Sequence, residues 1–378
     1  MGDIDGLEPG ARVVVAMSGG VDSSVVAAVM AAQGFEVVGV TLQLYDHGNA
    51  TGRKGACCAG QDIHDARQVA ERLGIAHYVL DFEERFRRAV IDDFADTYAA
   101  GRTPIPCVRC NQRVKFRDLL DIARDLGAAA LATGHYARRI EGASGVELHR
   151  GADPARDQSY FLFATTQQQL DFLRFPLGSL VKDETRAVAA RYGLPVAEKP
   201  DSQDICFVPH GDHARTVAAL RPDAAQPGEI VDVGGKPLGR HEGIARFTVG
   251  QRRKLGVSAS ERLYVVGIDA GRHRIMVGPR RAALCGEAWL ADMNWLDAEA
   301  PPAAGLAVEV QHRYNEPPTA AHVEPAGDGR MKVRFATPQV GVAPGQACVV
   351  YAGARLLGGG WIDRAPLLQA PDEEAGAA

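Results

Sequence analysis

Arg12-Val13-Val14-Val15-Ala16-Met17-Ser18-Gly19-Gly20-Val21-Asp22-Ser23-Ser24 is the stretch that decides the fold. Its first half, RVVVA, is short, β-branched and apolar throughout, the mark of a strand buried on both faces. It runs straight into Ser-Gly-Gly and then into a helical stretch from about Ser23 to Gln33, stopped by Gly34. A strand that turns through glycines into a helix brings free backbone N–H groups and the positive end of the helix dipole to one spot, which suits an anion. Gly19 and Gly20 let the backbone approach phosphate oxygens closely. Ser18, Ser23 and Ser24 add hydroxyl donors. Asp22 would repel phosphate directly, so it is assigned to Mg²⁺ or to orienting the loop. No Gly-Lys-Ser/Thr follows the glycines, so this is not a Walker A loop.

Outward from that loop, strands and helices alternate. Glu36–Leu42 reads as a strand, Asp62–Leu73 as a helix, His77–Leu80 as a strand, Glu83–Ala100 and Arg109–Leu126 as helices, and Ala128–Thr133 as another strand. This alternation predicts an α/β fold with a doubly wound parallel sheet. Leu42 and Thr133-Gly134-His135-Tyr136 fall where strands end, the edge at which such sheets bind nucleotides. After about Gly211 the pattern changes. Residues 226–281 are rich in Gly and Pro, with short β-type runs at Arg246–Val249 and Leu263–Ile268. From Leu284, segments at Trp289, Val308–Gln311, Met331–Phe335, Ala347–Tyr351 and Leu356–Ile362 suggest a small β-barrel. The expected division is 1–212 for nucleotide binding and catalysis, 213–283 for a small mixed middle domain, 284–366 for the barrel and 367–378 for a disordered tail.

The chain has 378 residues, 46% of them hydrophobic and 24% charged, with a net charge of −5. It shows neither a basic, apolar leader nor an apolar run near the roughly 20 residues of a membrane helix. A cytoplasmic enzyme without a membrane partner is expected. Arg246–Arg281 carries a net charge of +7, mostly from arginine, whose fork suits phosphate.

The seven cysteines do not form a disulfide framework. Cys57, Cys58, Cys285 and Cys348 read as small apolar residues. Cys107 and Cys110 form a C-x-x-C, with Arg109, Arg113 and Lys115 beside them, and Cys206 lies in a loop, DSQDICF. Basic neighbours and a helix start would lower the Cys110 pKa. Two uses fit these three thiols: a persulfide carrier with a resolving thiol, or an iron–sulfur cluster on Cys107, Cys110 and Cys206. A structural zinc site wants four ligands.

SGGVDS resembles the PP-loop signature of enzymes that cut ATP between its α and β phosphates, an adenine nucleotide α-hydrolase-like fold. The strings AMSGGVDSS, GRTPIP, CNQRVKF, ATGHYAR, ARDQSYFL, KPDSQDICF, FTVGQRRKLG, HRYNEPP and PGQACVVY run from Ala16 to Tyr351 and together resemble the tRNA-specific 2-thiouridylases. The resemblance implies an ATP site at Ala16, Met17, Ser18, Gly19, Gly20, Val21, Asp22, Ser23, Leu42 and Gly134. It implies Cys110 as nucleophile and Cys206 as persulfide carrier, joined by a disulfide after turnover. It places the target base at Ile105, Pro106 and Cys107, and tRNA contacts at His135, Arg156, Asp157, Gln158, Arg313, Tyr314 and Gln346. ATP and Mg²⁺, the anticodon arm of tRNA and a persulfide-bearing donor protein would be its partners. The chain departs from the family pattern at Cys107, where a carboxylate is usual, and at Leu42, where Met is usual. Another PP-loop adenylating ligase, which would need no thiols, and an iron–sulfur-dependent thiolase are the alternative readings.

Overall fold

The structure, a computed structural model, describes residue 4 and residues 6–45, 58–200, 204–208, 211–297 and 299–368. Val13, Val14 and Val15 are fully buried at the centre of β1 (Arg12–Ala16). Strand β1 lies between β2 (Glu36–Gln43) and the later β4 (Ala130–Ala132), parallel to both. With β3 (Ala76–Asp81) and β7 (Leu173–Arg174) they form a parallel sheet ordered β3-β2-β1-β4-β7. Alternate side chains of a strand face opposite ways. Val13 and Val15 pack with helix α1 (Val21–Ala32) in one core, and Val14 packs with Val108, Phe116 and Leu119 in the other. Helices on both faces make the sheet doubly wound, as the alternation predicts.

Helix α1 begins at Val21, ahead of the expected Ser23. The helix expected at Arg109 starts earlier, with Pro106 in its first turn, where a missing N–H costs nothing. It runs as Pro106–Cys110, then a π-helical stretch Asn111–Leu119, then Leu120–Asp125. A second π-helical stretch, Arg87–Ile91, interrupts the Glu83–Ala99 helix.

The middle unit is a four-stranded sheet of β8 (Gly228–Asp232), β9 (Pro237–His241), β10 (Leu263–Asp269) and β11 (Arg274–Pro279), ordered β10-β11-β8-β9. Arg246–Val249 is not a strand. A short 3₁₀ turn, Ile244–Arg246, precedes it, and Phe247 is anchored in the local core instead of in a ladder.

The last unit is a closed antiparallel barrel. Its strands are β12 (Leu284–Trp295), β13 (Leu306–Gln311), β14 (Thr319–Pro325), β15 (Met331–Val340), β16 (Ala347–Ala352) and β17 (Arg355–Arg364), and β12 pairs with both β15 and β17 to close the ring. Sequence reasoning missed β14, whose buried face offers only Ala321 and Val323. The hairpin of β5 (Ala137–Gly142) and β6 (Gly145–Arg150) leaves the first domain and pairs with β17, Leu148 opposite Leu356. Val349, Tyr351 and Trp361 of the barrel belong to the same core as Val14 and Leu131. Leu367, placed in the tail by the sequence, bridges Cys285, and the Leu368 N–H donates to Leu284 O. Residues 369–378 lie outside the described residues. Among the described residues no helix is long and apolar enough to cross a membrane.

Candidate active site

The loop after β1 is held open by its own hydroxyls and by charges brought from distant parts of the chain. Ser24 Oγ donates to Gly20 O at 2.8 Å, and Ser18 N–H donates to Ser23 Oγ at 3.1 Å. Gly19 has φ +73°, and a Cβ there would run into the backbone of Asp62. A Cβ on Gly134 would sit 3.0 Å from the Ser23 nitrogen, so only glycine lets the strand end approach the loop. Lys199 Nζ donates to Gly19 O at 3.0 Å and to Asp62 Oδ1 at 2.7 Å. Lys182 Nζ donates to both oxygens of Asp22, at 2.8 and 3.0 Å, and Tyr136 OH donates to Asp22 Oδ1 at 2.9 Å. Asp22 is thus tied to two residues from distant parts of the chain. Sequence reasoning singled out neither lysine for a role. Lys199 opens the KPDSQDICF string, and Lys182 stands in no string at all.

A cleft of about 410 Å³ opens on this loop and continues into a wider one of about 930 Å³. The first is lined by Ala16, Met17, Ser18, Asp22, Ser23, Leu42, Gly134 and His135, and also by Cys107, Cys110 and Cys206. Gly20 and Val21 line the second. The folding of the chain therefore brings the phosphate loop and the three singled-out thiols to one space. Gly19 lines neither lobe and serves the loop by its turn.

Cys110 is buried, whereas Cys107 and Cys206 are exposed to the cleft, and all three are free thiols. Cys107 and Cys206 show surface to the cleft yet have protein packed closely around them, and this loss of water pushes all three thiols above the ordinary value, with Cys110 and Cys107 alongside adding to the rise at Cys206. The expected lowering at Cys110 is corrected on two grounds. Cys110 ends the first helical segment instead of starting it. Arg109 turns away to Asp93 at 3.6 Å and over the Trp361 ring at 3.9 Å, and Arg113 is held by Asp93 at 2.9 Å. Of the three basic residues only Lys115 lines the cleft. Cys285 and Cys348 are buried in the barrel, as apolar residues should be. Cys57 lies outside the described residues.

The segment before Cys107 is held by the barrel. Thr103 N–H donates to Pro344 O at 2.8 Å, and Gln346 Nε2 reaches Thr103 O and Pro104 O at 3.3 and 3.4 Å. Ile105, Pro106, Arg156, Gln158, Tyr314 and Gln346 line the wider cleft. Tyr314 packs on Phe161 with ring centroids 4.3 Å apart. Two residues expected to touch tRNA have side chains occupied inside the protein. Asp157 accepts from Gly151 N–H, Ser159 N–H, Ser159 Oγ and Arg150. Arg313 donates to Val249 O at 2.7 Å and pairs with Glu316, tying the middle unit to the barrel. His135 shares a hydrogen bond with Thr133 Oγ1, and burial lowers its pKa to about 3, so it is neutral.

Among the described residues no three His, Cys, Asp or Glu side chains converge to hold a metal ion. The cluster considered for Cys107, Cys110 and Cys206 therefore lacks a fitting donor set. Mg²⁺ commonly rides on substrate phosphates with one or two carboxylates, and Asp22 is a carboxylate at the loop.

A family model described as the tRNA methyl transferase HUP domain matches residues 11–210, the tRNA methyl transferase PRC-barrel domain matches 220–279 and the Aminomethyltransferase beta-barrel domain matches 287–362. A tRNA-specific 2-thiouridylase MnmA of Rhizorhabdus wittichii is 64% identical over 357 residues, covering 93% of this chain and 92% of that one. The protein of the same name in Rhodospirillum centenum is 61% identical over 362 residues, covering 94% and 92%. That of Paracoccus denitrificans is 61% identical over 355 residues, covering 93% and 91%.

Proposed function

The chain belongs to the tRNA-specific 2-thiouridylase family, and on that premise we propose how its cleft carries out the reaction. It is an ATP-using tRNA-uridine 2-sulfurtransferase. The substrate position is C2 of the wobble uridine, whose oxygen is a poor leaving group. ATP bound at Ser18–Ser23 accepts attack by that oxygen on its α-phosphorus. Pyrophosphate leaves, and the oxygen becomes part of a bound adenylate. The loop's backbone N–H groups and the N-terminus of α1 stabilise the phosphates. Mg²⁺ on those phosphates would offset their charge, with Asp22 as the nearby loop carboxylate.

Sulfur arrives as a persulfide on Cys206, loaded by a separate donor protein. The terminal sulfur attacks C2, and AMP departs with the original oxygen. Cys110 thiolate then attacks the Cys206 sulfur and breaks its bond to the transferred atom, which remains on the base as the thiocarbonyl. A Cys110–Cys206 disulfide results, and a thiol reductant of two electrons restores both thiols. Cys107 lies beside them where the family more often has a carboxylate. The uridine must leave the anticodon stack to enter. The Arg-rich middle segment and the barrel supply the grip on the anticodon arm.

The observation that carries this reading is the single cleft lined by both the phosphate loop and the three thiols. An adenylating ligase has no use for that coincidence. The test is mass spectrometry of nucleosides from a wobble-uridine tRNA incubated with the protein, Mg-ATP and a persulfide donor. A sulfur-for-oxygen product together with AMP is expected. ADP in place of AMP, or no sulfur in the base, would overturn the scheme.

A further inference from the structure

Of the three basic residues that follow Cys107 most closely, Arg109 and Arg113 both pair with Asp93, which does not line the cleft. Lys115 is the exception. Among the described residues it makes neither an ion pair nor a hydrogen bond. It lines both lobes of the cleft, beside Ser18 and Asp22 on one hand and Cys107 and Cys206 on the other.

Helix register explains how it gets there. In an α-helix a residue five positions on points about 140° away from the first. Cys110 is followed immediately by the π-helical stretch Asn111–Leu119. There the i→i+5 bonding widens the turn, so residue i+5 returns toward the face of residue i. Lys115 stands five positions beyond Cys110. The π stretch thus turns an outward lysine into one that shares the thiol's face.

We propose that Lys115 is a positioning cation of the sulfur centre: its ammonium favours the Cys110 thiolate and steadies the negative sulfur carried on Cys206. The Cys110 S–H gives its proton to water in the cleft, Lys115 keeps its own protons, and no electron moves in this step. Its role in sulfur transfer rests on the function proposed above, whereas its effect on thiol ionisation does not.

The surroundings agree. Burial raises all three thiols, and Lys115 is the charge that opposes the rise at each of them. The other charged groups at the narrower lobe do not replace it. Asp22 is engaged by Lys182 and Tyr136. His135 is neutral, held so by burial and by Lys115 itself. Asp204 accepts from the Ile205 N–H at 2.9 Å and carries the opposite sign. An ammonium without a carboxylate partner keeps its full field for whatever anion forms in the cleft.

The experiment uses the full chain without tRNA: alkylation of each cysteine as a function of pH, resolved by peptide mass spectrometry, with thiolate absorbance as a second readout. It compares the native protein with Lys115→Met and Lys115→Arg, and thermal unfolding reports whether each variant folds. The Met variant should move the Cys110 midpoint upward and slow its alkylation at neutral pH about tenfold. The Arg variant should restore most of the rate. Lys115→Gln serves if the Met variant does not fold. An unchanged midpoint in a folded, uncharged variant overturns the proposal, including the case in which that variant loses only ATP affinity, which would make Lys115 a phosphate ligand. A shifted midpoint with undiminished persulfide-dependent thiolation removes its part in transfer. Should the native protein itself fail to thiolate tRNA, the function fails while the ionisation comparison still stands.

Discussion

The two ends of the cleft are built on different principles. At the nucleotide end, charges are paired and fixed: Lys182 with Asp22, and Lys199 with Asp62, Asp65 and the carbonyl of Gly19. At the thiol end the groups that react make few bonds of their own, and position comes from outside, through Thr103 on Pro344, Arg102 on Ile362 O at 3.2 Å and Arg109 over Trp361. A phosphate cradle works best when its dipoles are already oriented before the ligand arrives. Thiols that must load, attack and be reduced need room to move. The barrel lets one helix start be positioned without filling the space around its sulfurs.

This contrast can be broken most severely at Cys206. Cys206→Ser should lower persulfide-dependent thiolation by at least about a hundredfold and leave ATP affinity nearly unchanged. Nucleoside mass spectrometry and calorimetric titration with ATP measure the two halves. Full thiolation in that variant would move the carrier elsewhere.

The opposite pattern is expected at the loop. Gly19→Ala forces a side chain into a left-handed conformation and against the Asp62 backbone, at a cost of about 1–3 kcal/mol. ATP binding should fall strongly while the pH dependence of Cys110 alkylation stays where it was. Equal damage to both ends would mean that they are one rigid unit.

The smallest effect sharpens the comparison through pH. His135 has its folded pKa lowered to about 3 from an ordinary 6.5. Between those values the unfolded chain binds more protons, so stability rises with pH across this window and is lost as pH falls below 6.5. Because His135 is partly open to the cleft, its share is about 1–2 kcal/mol at most by pH near 4. His135→Gln should flatten the acid limb of a urea-stability profile by that amount. An unchanged limb would assign the acid loss to His77, His241 and His312, which burial lowers too.

Much of this was legible beforehand because it is local. A Val run followed by Ser-Gly-Gly can hardly be anything but a buried strand turning into a helix, and the glycines name the positions where the backbone must bend or approach. The strings around Cys110 and Cys206 likewise marked both thiols for one chemistry. Reasoning went astray where a side chain had a choice of neighbours. Arg109 and Arg113 look from the sequence like activators of Cys110, but Asp93 on another helix claims both. Strand β14 was missed because alanine signals a strand weakly.

The chain's sequence alone determined the order of units, the phosphate loop and the residues able to carry sulfur, since spacing and residue type dictate local conformation and reactivity. Which charges reach the cleft was decided only in three dimensions. Coulomb attraction falls off with distance in space, with no regard to distance along the chain. Lys182 therefore meets Asp22 across 160 positions, while Arg109, next to Cys110, is drawn to Asp93, and Lys115 lines the cleft that the three thiols line.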